Sequence, residues 1–391
     1  MEPEIDRPQP EAPFAEKDAA ATHAPETVAP SLGARFFHWM NWTFYGSQGL
    51  RAGWSVLIFV LLFGVLASAV GFVFVKLHLV SMKDGMNVFS ALFNELINLL
   101  PLLGAAAIMA LIERRRSLLA YNLTGPRRIP HFFSGLAAGF AALSALVGAM
   151  ALGGWLHFGP AALSGAAIFK FAGLWAIVFL MVGCVEEGLF RCYLLSTLTR
   201  GINFWWALGT VGTISVLVFF MPKSNGPYGV YAAAFAGLLP CLWLHLKKAE
   251  SAGFWQATWV TSLIFGSIHV SNPGETWIGI FAAVMIGFAF CVSVRATGTA
   301  WWAIGCHAAW DWAETYFYGT ADSGMVAPGH YLTTSTAGNA LWSGGTDGPE
   351  GSLLVLGVIL LLLAALLVIY GRKSEIAKDG AQELFCRESR E

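Results

Sequence analysis

Charged side chains are scarce in this chain: Asp, Glu, Lys and Arg make up 12% of its 391 residues, against about 25% in a soluble domain. That scarcity excludes a conventional water-facing surface. With a net charge of −1 there is no basic surplus to attract nucleic acid, and no such partner is expected. Cysteine is sparse as well. The six, at 184, 192, 241, 291, 306 and 386, include no Cys-x-x-Cys pair, which speaks against a disulfide framework or a zinc knuckle. Five of them fall in apolar runs and read as small packing residues. The zinc-protease pattern His-Glu-x-x-His is absent too. Met1 to Pro30 is rich in Pro, Ala and Glu, with neither a periodic apolar face nor a basic-then-apolar leader, so a disordered tail is expected there and not a signal peptide.

What the chain has in abundance is apolar sequence: 56% hydrophobic residues, with 16 Trp and 43 Gly. These suit interfacial aromatic belts and close helix crossings in a bilayer. A helix needs about 20 apolar residues to span the hydrocarbon. Runs of that kind lie at 54–78, 88–112, 133–156, 168–198, 204–221, 229–246, 254–272, 277–295, 301–318 and 352–370, separated by turn-rich breaks. The fold class read from this pattern is all-α, a polytopic transmembrane bundle of about ten spans. Arg114 to Arg116, Arg127, Arg128, Arg200, Lys247, Lys248, Arg295, Arg372 and Lys373 all fall on one side of that alternation. The positive-inside rule then predicts cytoplasmic N- and C-termini, and a multi-pass protein of a cell membrane, of prokaryotic inner or plasma membrane type, is expected. The expected organisation is a disordered tail at 1–35, N-terminal helices at 36–166, a core at 167–318, an outer loop at 319–351, and a last helix with its tail at 352–391.

An ionisable side chain at the bilayer centre costs at least about 2.5–3.5 kcal/mol, so each one needs a partner or a task. In the fourth span, Glu186-Glu187-Gly-Leu-Phe-Arg191 interrupts an apolar run. Glu187 and Arg191 are spaced i,i+4 and should pair. Glu186 points about 100° away and needs other polar company. Of nine histidines, only His269 and His307 sit clearly within spans. His307, Asp311 and Glu314 share one helical face. At about 1.5 Å of rise per residue, Glu187 lies roughly 17 Å from the inner end of its span, His269 roughly 22 Å, His307 about 9 Å and Asp311 about 15 Å. Tilt allows these to converge. As isolated pairs, Glu187–Arg191 and His307–Asp311 would serve only to hold helices together. Three ionisable motifs inside one membrane bundle are harder to explain that way, because small residues pack helices at lower cost.

A carboxylate in such a site is a usable general base, and two imidazoles opposite it can hold a water or donate to an oxyanion. Ser267 points away from His269 and has no local acid, so a serine triad is disfavoured.

In order, Glu186-Glu187-Gly-Leu-Phe-Arg191, Phe265-Gly-Ser-Ile-His269 and His307-Ala-Ala-Trp-Asp311 resemble the motifs of the CAAX proteases and bacteriocin-processing enzymes, the type II CAAX prenyl endopeptidase, CPBP or Abi family. The resemblance covers roughly residues 168–318. It implies an intramembrane endopeptidase of the glutamate type that needs no cofactor and no metal. In that reading Glu186 activates water, Glu187 with Arg191 shapes the site, and His269, His307 and Asp311 bind the water or oxyanion. The implied partners are the lipid bilayer and a peptide or protein substrate with a membrane-embedded or lipidated segment. Two departures stand out: spans 204–221 and 229–246 lie as an insertion between the first two motifs, and Asp311 replaces a common Asn. Two other readings compete. One is a zinc protease ligated by Glu186, Glu187, His269 and His307. The other is a non-catalytic scaffold, immunity protein or proton-coupled transporter, to which Asn94, Glu95 and Asn98 on the second span would contribute.

Overall fold

The computed structural model describes residues 31–46, 49–79, 87–115, 117–221 and 227–371. The expected tail through Pro30, together with Arg116, Arg372 and Lys373, lies outside the described residues. Two compact units are distinguished, Met1–Tyr45 and Gly46–Glu391. The first contains the aromatic-rich helix α1 (Leu32–Phe44), in which Phe36 meets Phe37 edge-on.

The second unit is a helical bundle. Its elements are α2 (Ala52–Lys76), α3 (Val88–Ile112), α4 (Arg128–Leu152), α5 (Ala166–Glu187), α6 (Leu195–Leu198), α7 (Phe204–Phe220), α8 (Pro227–Leu246), α9 (Ala252–Ile268), α10 (Trp277–Thr297), α11 (Trp301–Asp311), the single turn α12 (Ala340–Ser343) and α13 (Leu353–Leu366). A π-helical stretch, Gly188–Leu194, joins α5 to α6 in one 33-residue rod, and another, Trp312–Tyr318, continues α11. Helix starts are capped by side chains that satisfy the first free N–H groups: Asn87 for α3, Asn203 for α7, Thr276 for α10 and Ser352 for α13. Apolar residues such as Leu61, Phe219, Phe220, Phe235 and Trp243 are exposed, as a surface facing lipid requires.

Each of the ten expected runs is helical, but they are not ten equal spans. Seven helices are long and apolar enough to cross a membrane: α2, α3, α4, the α5–α6 rod, α8, α10 and the α13 helix to Gly371. Helices α7 and α9 have 17 residues each, and the α11 helix carries Asp311 and Glu314. The physical reason is clear for α9: Gln256, Thr258, Thr261 and Ser262 are fully buried against other helices. It is an inner element that does not need a lipid-facing apolar girdle.

The loops agree with an alternating path. The strand Leu156–Ala161 after α4 pairs antiparallel with Leu332–Thr336, so these two loops share one end of the bundle. At the other end Arg200, after α6, reaches Glu113, after α3, at 3.0 Å.

Helix α11 is wedged among α4, α5 and α10. Small residues make this possible. A Cβ on Gly139 of α4 would strike the carbonyl oxygen of Cys306, and one on Gly305 would strike that of Phe132. Helices α7 and α8 pack on the flank made by α9 and α10.

Candidate active site

Glu186 and Glu187 end α5, where the helix widens into the π-helical stretch. Such stretches leave backbone groups outside the regular ladder and often mark functional sites. Here the Arg191 carbonyl accepts a hydrogen bond from the Asn122 side chain at 2.7 Å. Arg191 is fully buried. Its Nε lies 3.1 Å from Glu187 Oε2, and its Nη1 donates to Glu187 Oε1 at 3.2 Å. The guanidinium also stands 4.4 Å from the centre of the Phe265 ring, a cation–π contact. Gly287 of α10 leaves the space it needs, since a Cβ there would come within 2.8 Å of Arg191 Nη2.

His307, from α11, bridges the two glutamates. Its Nδ1 lies 2.8 Å from Glu187 Oε1, and an ionised carboxylate only accepts, so Nδ1 carries the proton. The opposite nitrogen, Nε2, lies 3.8 Å from Glu186 Oε2 and 3.5 Å from Asp311 Oδ2. The Phe290 ring stacks on the imidazole at 5.8 Å. Glu187 therefore faces two cationic or donor partners and is sealed, with 0% of its side chain exposed, whereas Glu186 keeps 27% exposed.

His269 closes α9. Its Nδ1 donates to the Phe265 carbonyl at 2.8 Å, which leaves Nε2 as the acceptor nitrogen of the ring. Among the described residues no ion pair joins His269 to either glutamate. What it shares with Glu186 is the wall of a cavity of about 400 Å³. Glu186, His269, His307 and Asp311 all line that cavity, while Glu187 and Arg191 stand behind it. Ser267 donates to Leu263 within its own helix.

The cavity also contains groups that the sequence motifs left out. Glu95 of α3 lines it, as do Asn272 and Glu275 from the turn before α10, and Asp322 and Glu350 from the 319–351 loop. Glu95 carried one signal, an acid within an apolar run. The loop acids carried none, because their proximity depends on how the loop folds back. Outside the spans, burial beside Asp347 pushes the Glu275 carboxyl up to about 9, and burial raises Asp347 to about 6. No residue of α7 or α8 lines the cavity.

The four ligands of a zinc reading do not gather around one point. Among the described residues, the acidic or imidazole groups whose ligand atoms all lie within 4.8 Å of one another are Glu314, Asp322 and Glu350.

The family model for Type II CAAX prenyl endopeptidase Rce1-like proteins matches residues 241–313. No curated protein and no solved structure gives a significant match. The matched stretch contains Phe265 to His269 and His307 to Asp311 and stops short of Glu186 to Arg191, which reaches the same cavity from α5. Over that stretch the chain, a multi-pass helical membrane protein, is similar to the type II CAAX prenyl endopeptidases.

Proposed function

We propose that the protein is an intramembrane endopeptidase in which Glu186 takes a proton from water while the resulting hydroxide attacks the peptide carbonyl. One observation carries this reading. Of the two adjacent glutamates, Glu187 is consumed by Arg191 and His307, and Glu186 alone opens into the cavity that His269 and His307 line. Both imidazoles spend Nδ1 on an anchor, so each offers Nε2 to the reactants. His269, anchored on a backbone carbonyl, is suited to accept a hydrogen bond from the water. His307, ringed by Glu186, Glu187 and Asp311, is suited to carry a second proton and donate it to the oxyanion. The proton held on Glu186 then passes to the leaving amine.

The substrate in this proposal is a peptide with a lipidated or membrane-embedded segment, which the apolar walls from α10 and α13, including Ile286 and Ile359, would accommodate. In this proposal both termini lie on the cytoplasmic side of a cell membrane, of prokaryotic plasma membrane type. In proteoliposomes, wild-type protein should cleave a fluorogenic peptide carrying a prenylated cysteine, and 1,10-phenanthroline should leave the rate unchanged. Glu186→Ala should abolish cleavage, and a variant that still cleaved would refute the assignment of the base. Comparing protein N-termini between wild-type and Glu186→Ala cells would identify the natural substrate.

A relay for protons draws on one observation, Glu95 lining the same cavity. A relay would route protons through that acid, whereas the proteolytic scheme gives it no step. Glu95→Gln should therefore leave cleavage within about tenfold of wild type, whereas proton flux across the vesicle membrane that disappears in Glu95→Gln would favour the relay.

A further inference from the structure

On the side of the cavity lined by the 319–351 loop, which we call its mouth, three carboxylates meet with no Lys, Arg or His among the described residues paired to them. Glu314 lies on the π-helical continuation of α11, two turns beyond His307, and is 1% exposed. Neither of its oxygens has a hydrogen-bond partner. Both are buried, and an ionised carboxylate left so is strongly disfavoured. Asp322 and Glu350 come from the two ends of the 319–351 loop, and both line the cavity. One oxygen of each residue in this trio lies within 4.8 Å of the others.

The trio's hydrogen bonds orient it without neutralising it. Trp310 Nε1 donates to Glu350 Oε1 at 2.8 Å, and Thr315 Oγ1 donates to Asp322 Oδ2 at 3.0 Å. Both donors are uncharged. Among the described residues, no Lys, Arg or His forms an ion pair with any of the three acids. The second oxygens of Asp322 and Glu350, and both of Glu314, are left for another partner. All are hard ligands, the type that binds calcium or magnesium. Ca²⁺ holds oxygens at about 2.3–2.6 Å, so two on opposite sides stand about 5 Å apart, whereas Mg²⁺ at about 2.0–2.1 Å allows about 4 Å. Separations within 4.8 Å fit inside a calcium coordination shell.

We propose that Glu314, Asp322 and Glu350 form a binding site for a divalent cation of calcium's size, which clamps both ends of the 319–351 loop to the helix that carries His307. The same loop places Ser323, Met325 and Ala327 in the cavity wall. Cation occupancy thereby sets how firmly the loop covers the cavity mouth. This site stands independently of the proteolytic reading.

The test uses the full chain, purified in detergent and stripped with EDTA. CaCl₂ should raise its melting temperature in a saturable way, more than MgCl₂ and beyond NaCl at matched ionic strength. Tb³⁺ should bind with luminescence sensitised by tryptophan, for which Trp310 is positioned. Glu314→Gln should remove the calcium-dependent shift and weaken Tb³⁺ binding at least about tenfold. In EDTA that variant should melt at or above the wild-type temperature, because one uncompensated buried carboxylate has been removed; Asp322→Asn serves as a second probe with the same expectation. The proposal is overturned if calcium does no more than NaCl, if magnesium stabilises more than calcium, or if both variants retain the wild-type shift and Tb³⁺ affinity.

Discussion

Two groups of buried carboxylates around the cavity, a deep one behind its wall and one at its mouth, solve the problem of burial in opposite ways. At the deep end, Glu187 is flanked by Arg191 and His307 at 2.8–3.2 Å, so its charge is balanced by the protein itself. At the mouth, Glu314, Asp322 and Glu350 come within 4.8 Å of one another with only uncharged donors beside them. The contrast separates two kinds of acid. Glu187 is held in a fixed geometry by Arg191 on its own rod and by His307 on α11. Those at the mouth depend on protons or ions from outside, and they sit on a loop. Glu186 lies between these extremes, next to His307 yet open to the cavity, which is the environment a general base needs.

The sharpest way to break the deep end is to remove its cation. Arg191→Leu leaves Glu187 with only His307, and loss of one partner of a buried pair costs about 3–5 kcal/mol. Thermal unfolding in detergent should show that loss, together with loss of cleavage. A smaller effect should come from the packing that positions His307. Gly139→Ala forces α11 away from α4, at a cost of about 1–3 kcal/mol, while a displacement of about 1 Å at the imidazole should slow cleavage about 100-fold. Kinetics and melting measured on the same sample would separate the two effects.

The mouth should respond to pH. Glu275 is buried beside Asp347, which itself accepts from Thr276. Its carboxyl is raised from 4.5 to about 9. The folded protein thus holds more protons than the unfolded chain between about pH 4.5 and about pH 9, so stability from this contact falls as pH rises through that window. Proteolytic nicking of the 319–351 loop should quicken from pH 6 to pH 9, and Glu275→Gln should flatten the profile. The smallest effect is expected at Asp311. Asp311→Asn keeps an acceptor near His307 Nε2 and should change the cleavage rate by less than about tenfold.

Much of this arrangement was legible in the sequence, for a physical reason: long apolar runs and costly intramembrane ions are both strong local signals. The ten helical runs and the i,i+4 pairing of Glu187 with Arg191 rest on such signals. The π-helical stretch after Glu187 was not legible, since it involves the Arg191 carbonyl accepting from Asn122, 69 positions away in sequence. Nor was the shortness of α9, whose polar residues face neighbours that only the tertiary packing supplies. The pairing of Leu156–Ala161 with Leu332–Thr336 and the gathering of Asp322 and Glu350 around Glu314 arise from loops with no periodic pattern. The sequence motifs therefore located the deep end of the cavity and missed its mouth.

The central claim is that adjacent glutamates have divided their work, Glu186 acting on water and Glu187 holding the site together. The most direct measurement compares the isosteric variants Glu186→Gln and Glu187→Gln for cleavage rate and melting temperature in the same detergent. Glu186→Gln should lose at least about 100-fold in rate while melting like wild type, and Glu187→Gln should melt at a clearly lower temperature because Arg191 is left buried without its counter-charge. Retained cleavage in Glu186→Gln, or a wild-type melting temperature in Glu187→Gln, would contradict the account.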